Sequence, residues 1–190
     1  RDGLVTGVQT CALPICGHCN QIELRLKDGV TQGQCLTGGK IMLHSEIWVD
    51  GKHLDEPHFI DLPMLVQSLY EQRRFDIFTC GCGVGMCAGI VDGIEVQHAS
   101  GLVRWSFHRP LAADFLLDPE LSEWEKTAVP ASLTFDRAQM VNAIETYLDT
   151  VRALVGEESS KFDWPVDGLS VRDVLKIDPN KPFYAIRDGE

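Results

Sequence analysis

Residues 133–156 read LTFDRAQMVNAIETYLDTVRALVG and combine a short strand with a long amphipathic helix. Asp136 and Gln139 stand three residues apart and resemble a capping box in which aspartate replaces serine or threonine. Gly156 suits the end of the helix, because glycine tolerates the left-handed conformation common there. One apolar stripe with a helical period predicts that a single face is buried. The stripe contains Met140, Val141, Ile144, Tyr147, Leu148, Val151, Leu154 and Val155.

The residues before this helix predict a β-hairpin, because apolar and polar residues alternate on both sides of a turn at Ser100–Gly101. The face shared by the apolar residues contains Ile94, Val96, His98, Val103, Trp105 and Phe107. On that face we expect His98 to be a half-buried, hydrogen-bonded side chain rather than a functional one.

The N-terminal half predicts two further strands. Residues 22–26 alternate between apolar and charged side chains. In the second strand, residues 41–49, one face contains Ile41, Leu43, Ile47 and Val49, and the other contains Met42, His44, Glu46 and Trp48. Asp50–Gly51 then predicts a tight turn, because both residue types accept positive φ angles.

A second helix is predicted from Asp61, a suitable N-cap, with Pro63 in the first turn and an end near Arg73. Residues 75–79 predict a short strand after it. The whole pattern predicts an α+β fold: a mixed or antiparallel sheet built from hairpins, two principal helices and a Cys/Gly-rich knuckle.

The knuckle, residues 79–89, requires a chemical explanation. Cys80, Cys82 and Cys87 form a C-x-C-x4-C pattern with four glycines among eleven residues. Zinc takes four tetrahedral ligands, often three or four of them thiolates. Glycines permit the bends that bring three sulfurs together and let backbone N–H groups face those sulfurs. The pattern therefore predicts a zinc site.

A fourth zinc ligand has to come from elsewhere in the chain. His98 lies at the hairpin tip, roughly 20–25 Å away at about 3.3 Å per strand residue. The returning strand brings residue 108 back towards the knuckle, so we predict His108 as the fourth ligand. Cys19, Cys35 and His44 are alternatives through tertiary contact, as is a water molecule in an open site.

Two other interpretations of the knuckle stay open. The first is a metal-free turn that contains three small buried cysteines. The second is an enzyme, either a zinc hydrolase with an open coordination position or a thiol enzyme that uses Cys80 or Cys82. The glycine-rich wrapping favours a closed structural site over a catalytic one, and we assign no catalytic residue.

The balance of charged residues in the chain limits the classes of molecule that we expect it to bind. The chain has 17 basic and 28 acidic residues and a net charge of −11. Such a surface repels nucleic acids and anionic membranes and suits a basic protein partner.

No apolar run is long enough to predict a transmembrane helix. Clustered cysteines are more typical of a metal site than of a disulfide framework, so we expect a reducing cytoplasm.

Residues 1–15 resemble a translated DNA sequencing adapter. Arg1–Asp2 and the run VTGVQTCALPI at 5–15 match the constant part, and residues 3–4 fall at the variable index. We interpret residues 1–16 as foreign to the fold and expect the natural start, with any leader, to be missing. The expected organisation is a single domain at 17–156 and a C-terminal extension at 157–190, packed on the domain or partly irregular.

From Gln21 to about Val155 the chain resembles a group of bacterial proteins for which no activity is established. The segment that supports this resemblance is FTCGCGVGMCAGI at 78–90, followed by the hairpin and the late helix. The resemblance implies a bacterial, metagenomic-type source and an α+β fold, and it implies no activity. We expect a small acidic binding domain with a structural zinc knuckle.

Overall fold

The computed structural model describes residues 19–26, 40–54, 59–85, 93–107, 132–166 and 168–183. Within these ranges, strands and helices are both abundant and most strand pairs are antiparallel. The predicted α+β fold is therefore confirmed. Residues 1–16 and the second half of the knuckle, residues 86–89, lie outside the described ranges.

The described residues contain eleven strands: β1 (Ile22–Leu26), β2 (Ile41–Met42), β3 (Ser45–Val49), β4 (Lys52–His53), β5 (Phe59–Ile60), β6 (Arg74–Phe75), β7 (Phe78–Thr79), β8 (Ile94–Ala99), β9 (Leu102–Phe107), β10 (Ser132–Asp136) and β11 (Phe162–Asp163). They form four sheets, ordered β1-β3-β4, β10-β9-β8-β6, β2-β11 and β5-β7. The α-helices of the described part are α1 (Leu62–Gln67), α2 (Arg137–Val155) and α3 (Val171–Val174). None of these helices is both long and apolar enough to cross a membrane.

The predicted hairpin is present as β8 and β9. Its turn residues, Ser100 and Gly101, have φ angles of 51° and 82°, which is the type I′ geometry that matches the twist of paired strands. Strand β10 pairs antiparallel with β9. Trp105 is fully buried at the centre of this sheet and makes edge contacts with the rings of Phe78 and Phe135.

Helix α2 begins and ends where the sequence predicts. Asp136 Oδ1 accepts the N–H of Gln139 at 3.0 Å, and Gly156 has a φ of 51° and donates to the Arg152 carbonyl. Leu154 departs from the prediction, because it is 44% exposed at the edge of the stripe. The buried stripe residues are Met140, Ile144, Tyr147, Leu148, Val151 and Val155.

Helix α2 also packs on the β1-β3-β4 sheet, mainly on β1. A hydrogen bond in the interior joins the Ser45 and Tyr147 hydroxyls. Burial raises the pKa of Tyr147 above its usual range, so this hydroxyl stays neutral. The helix therefore lies between two sheets and holds them together.

The start of β1 is fixed by polar contacts to β10 of a neighbouring sheet and to the β3-β4 turn of its own sheet. The Asn20 N–H donates to the Thr134 carbonyl at 2.7 Å, and the Thr134 N–H donates to the Asn20 side chain at 2.9 Å. The Asn20 side-chain amide donates to Asp50 at 2.7 Å. Asp50 and Gly51, at φ angles of 51° and 74°, form the predicted tight turn between β3 and β4.

The first helix is shorter than predicted. It ends at Gln67 rather than near Arg73, and the following residues make isolated turns. At the early end the Ser68 hydroxyl donates to the Leu65 carbonyl at 2.6 Å. Such side-chain bonds compete with the helical backbone pattern.

The single strand predicted at residues 75–79 is divided. Phe75 belongs to β6 and pairs with β8, whereas Phe78 belongs to β7 and pairs with β5. Asp76 and Ile77 form the crossing from one sheet to the other. Phe75 and Phe78 are both fully buried, so each half of the segment is anchored in the core.

The C-terminal segment contacts the rest of the fold. Strand β11 pairs parallel with β2, and the Leu43 N–H donates to the Asp163 carbonyl at 3.0 Å. Ser170 caps α3 by accepting the Asp173 N–H at 3.2 Å, a common role for serine at this position. The buried residues of this segment include Trp164, Val166, Val171, Val174 and Ile177.

Candidate functional site

Strands β5 and β7 deliver the chain to the knuckle. Phe59 pairs with Thr79, and the Asp61 N–H donates to the Ile77 carbonyl at 2.8 Å. Phe78 and Thr79 are fully buried. Cys80 therefore leaves a rigid strand, and its position is set by the core rather than by the turn itself.

The described half of the knuckle is a closed turn. The Gly83 N–H donates to the Cys80 carbonyl at 2.9 Å, and the Cys80 N–H contacts the Val84 carbonyl at 3.4 Å. Gly83 has a φ of 74°, a conformation that glycine adopts without strain. The Cys82 N–H donates to Cys80 Sγ at 3.4 Å, so a backbone donor faces one of the predicted ligand sulfurs.

The two described cysteines of the knuckle differ in exposure. Cys80 is half-buried, Cys82 is exposed, and Val84 beside them is 43% exposed. The metal-free interpretation expects all the knuckle cysteines to be buried, and Cys82 differs from that expectation. Its thiol is accessible to solvent and to reagents.

The C-terminal segment contacts the knuckle, which the sequence does not indicate. A β-carbon added at Gly81 would lie 3.5 Å from both the Phe59 ring and the Pro165 carbonyl, and one added at Gly83 would lie 3.3 Å from Val166. Residues 165–166 thus support the turn from one side. Only tertiary structure brings them there.

The Asp76 side chain lies close to Gly85 and Gly93, the described residues on either side of the segment 86–92 that contains Cys87. A β-carbon added at Gly85 would lie 2.8 Å from Asp76 Oδ1, and one added at Gly93 would lie 3.0 Å from the same oxygen. Real β-carbons essentially never lie within 2.8 Å of another side chain, and 3.0 Å is tighter than nine in ten real contacts. Gly85 and Gly93 therefore lie side by side at one carboxylate.

Asp61 is a second carboxyl group on this side of the molecule. Its Oδ1 accepts the Met64 N–H at 3.0 Å and caps α1, as the sequence predicts. Burial raises the pKa of Asp61 to about 6, the Met64 hydrogen bond opposes the shift, and the charge of Asp76 adds to it. At neutral pH the fold therefore contains a largely ionised carboxylate at a poorly hydrated position.

The predicted metal ligands are only partly within the described residues. Cys80 and Cys82 are placed on one turn, whereas Cys87 and His108 lie outside the described ranges, as does the alternative ligand Cys35. The described part of the hairpin ends with Phe107 opposite Ile94. Among the residues that the structure describes, no three His, Cys, Asp or Glu side chains form a group that could hold a metal ion.

The described alternative ligands lie elsewhere in the fold. The His44 ring packs on the Phe59 ring with centroids 5.1 Å apart, so Phe59 lies between His44 and the knuckle glycine Gly81. Cys19 precedes β1, next to the contacts that Asn20 makes with β10. His98 Nε2 is 2.8 Å from the Ser68 carbonyl and the ring is half-buried, as expected for a structural histidine.

Comparison of the chain with family models, curated proteins and solved structures found no match.

Proposed function

We propose that the protein is a small binding domain whose knuckle holds a structural zinc ion through Cys80, Cys82, Cys87 and His108. The observation that supports this best is the Cys82 N–H donated to Cys80 Sγ at 3.4 Å. Backbone donors of this kind stabilise the negative charge of a thiolate and orient it towards a metal. A neutral buried thiol would gain little from the same contact.

Chain connectivity limits how far the other two proposed ligands, Cys87 and His108, can lie from the nearest described residues. Cys87 is two residues beyond Gly85, so its α-carbon lies within about 7.6 Å of that glycine at 3.8 Å per step. His108 directly follows Phe107, whose partner Ile94 is adjacent to Gly93. Gly85 and Gly93 meet at Asp76, so the described residues from which the chain continues towards the two proposed ligands lie on the same side of the fold.

The proposed partner is a basic protein. The net charge of −11 raises the local concentration of cationic surfaces and opposes contact with polyanions. In this proposal the zinc ion stabilises the fold, and the acidic surface binds the basic partner protein.

An enzyme is the second candidate, and the exposure of Cys82 is the observation that favours it. A catalytic thiol reacts as the thiolate and therefore needs solvent access and a depressed pKa. A zinc-bound thiolate is also deprotonated, but the metal protects it from alkylation.

The first experiment measures the metal content of the purified full chain by mass spectrometry, with melting temperatures recorded before and after chelation. One zinc per chain and a large fall in melting temperature on chelation are expected, because the binding free energy of a structural zinc contributes directly to folding. The variant Cys80→Ser/Cys82→Ser should behave like the chelated protein. Cys11→Ser is the matched control, since Cys11 lies in the segment interpreted as foreign to the fold.

Alkylation separates the three interpretations. Slow labelling of Cys82 that accelerates after chelation supports structural zinc. Fast labelling with or without chelator supports a reactive thiol and contradicts the zinc proposal. A metal-free protein whose melting temperature is unchanged in Cys80→Ser/Cys82→Ser would leave the cysteines as packing residues.

A further inference from the structure

Strand β1, at one edge of the β1-β3-β4 sheet, has backbone groups that point away from that sheet. The Gln21 carbonyl accepts the Asp50 N–H on the β3 side, whereas the Asn20 N–H donates to the Thr134 carbonyl on the opposite side. Because backbone direction alternates along a strand, the residues that follow Asn20 in steps of two also point outward. These residues are Ile22, Leu24 and Leu26.

The outward edge of β1 is open within the part of the chain that the structure describes. No hydrogen bond joins these outward backbone groups to another described residue. The other five-residue edge strand among the described residues, β10, differs, because Thr134 at its centre exchanges hydrogen bonds with Asn20. An unpaired edge like that of β1 is a template to which a further strand can add.

The charges of β1 are complementary to those of a second copy of the same strand. In an antiparallel pair with Leu24 opposite Leu24 of the second copy, Glu23 faces Arg25 of that copy, and Arg25 faces its Glu23. These are the positions of the ladder without hydrogen bonds, where facing side chains are closest. Opposite charges in facing positions stabilise a strand pair.

Glu23 and Arg25 lie on the solvent side of the sheet, where a second copy can reach them. Their side chains are 58% and 43% exposed and form an ion pair at 2.7 Å. Arg25 also lies over the Trp48 ring, 4.2 Å from its centroid. A second copy would extend this ion pair into a cluster of alternating charges, and such networks contribute more than isolated surface pairs.

The apolar face of β1 also fits a second copy. Leu24 is buried, whereas Ile22 and Leu26 at the two ends of the strand are half-buried. In the register centred on Leu24, Ile22 faces Leu26 of the second copy, so both side chains lose exposed apolar area on pairing. The bond from Asn20 to Thr134 occupies the next outward position and so limits the pairing to β1 itself.

We infer that the protein forms a reversible homodimer in which the β1 strands of two copies pair antiparallel about Leu24 and join their sheets into one. About six backbone hydrogen bonds form, two for each facing pair of outward residues. A strand pair of this length buries less area than a permanent interface, so the dimer exchanges with monomer. The inference does not depend on the proposed zinc site.

The test is sedimentation velocity of the full chain in reductant over a wide range of concentrations, and the wild type should shift from monomer to dimer as concentration rises. Glu23→Arg and Arg25→Glu each bring like charges face to face at two places and should raise the dissociation constant roughly tenfold or more. Glu158→Arg makes the same charge change in an exposed ion pair outside β1 and is the matched control.

Restoring the opposite charges should restore the dimer. The exchange variant Glu23→Arg/Arg25→Glu should return the dissociation constant close to that of wild type. An equimolar mixture of the two single variants should dimerise more tightly than either variant alone. Because this comparison uses the same two proteins throughout, it separates pairing across the interface from damage to the fold, and melting temperatures check that each variant is folded.

The backbone contribution is tested separately. Ile22→Pro removes an outward N–H and leaves the ladder to β3 intact, since proline is tolerated on the open side of an edge strand. It should abolish the dimer, whereas Ile22→Ala, which keeps the N–H, should weaken it less.

Three results would overturn the inference. The first is a wild-type chain that stays monomeric at every concentration. The second is a dimer whose dissociation constant is the same in wild type and in both single charge variants. The third is a loss in the single variants that neither the exchange variant nor the mixture recovers, because the register centred on Leu24 would then be wrong.

Discussion

The sheet and helix around Trp105 and the region around the knuckle are stabilised by different interactions. In the first, which we call the body (β8, β9, β10 and α2), Trp105, Phe135 and Ile144 are fully buried and apolar contact is the main force. Around the knuckle, Cys82 is exposed, and close contacts involve glycines, backbone groups and the Asp76 carboxylate. Substitutions that change side-chain volume should therefore destabilise the body most. Substitutions that change backbone shape or charge should affect the knuckle region most.

The two regions meet at Phe78. Its ring is fully buried and makes an edge contact with Trp105, with centroids 6.5 Å apart. Cys80 follows two residues later. Core packing on the body, together with the β5-β7 pairing, therefore holds one end of the knuckle in place, so a bound metal would act on a turn that is already partly ordered.

The largest effect is expected from a cavity in the body. Phe135→Ala removes a fully buried ring that packs on Trp105 with centroids 4.9 Å apart, and such changes cost about 3–5 kcal/mol of unfolding free energy. Urea unfolding would measure it. Leu154→Ala, at a site 44% exposed on the same helix-and-sheet unit, should cost far less. Similar losses in both would contradict the idea that the body depends on burial.

A smaller, pH-dependent effect is expected on the knuckle side. The folded-state pKa of Asp61 is about 6 against an ordinary 3.8, so its ionisation opposes folding. The stability that the protonated form provides is present below about pH 4 and is lost as the pH rises through about 6. Asp61→Asn keeps a capping oxygen and avoids the charge, so it should exceed wild type by up to about 3 kcal/mol near pH 8.

The measurement is urea unfolding of wild type and Asp61→Asn from about pH 4 to pH 8. The two proteins should be similar in stability at the acid end and diverge as the pH rises. A difference that stays constant across this range would mean that lost capping, rather than burial of charge, explains the variant.

The smallest effect is expected at the N-terminus. Deletion of residues 1–16 should leave the melting temperature unchanged, because the interpretation of this segment as foreign gives it no role in either region. Asn20→Ala in the same protein should lower the melting temperature, since Asn20 bonds to both Thr134 and Asp50. Loss of stability on deletion would contradict the adapter interpretation.

Features that depend only on residues close together in the sequence were predicted correctly. The I′ turns at Ser100–Gly101 and Asp50–Gly51, the cap at Asp136 and the stop at Gly156 each depend on residues within a few positions of one another. Periodicity also identified the buried face of α2, apart from Leu154. The contact between a backbone N–H and a knuckle sulfur was anticipated from glycine content alone and is found at Cys82.

Predictions of element bounds were wrong where segments distant in the sequence decide how a stretch of chain is paired. The helix at Asp61 ends early at Ser68, and the strand at 75–79 is shared between two sheets. Parallel pairing of β11 with β2 connects segments more than a hundred residues apart, for which no local pattern exists.

The sequence alone therefore determined the fold class, the hairpins and the long helix, because periodicity and turn geometry are local properties. The residues of the candidate zinc site stay a prediction from ligand chemistry. Tertiary structure alone decided the support of the knuckle by residues 165–166, the burial of Asp61, and the meeting of Gly85 and Gly93 at Asp76. These depend on which segments share the core, and that choice is made by the free energy of the whole chain.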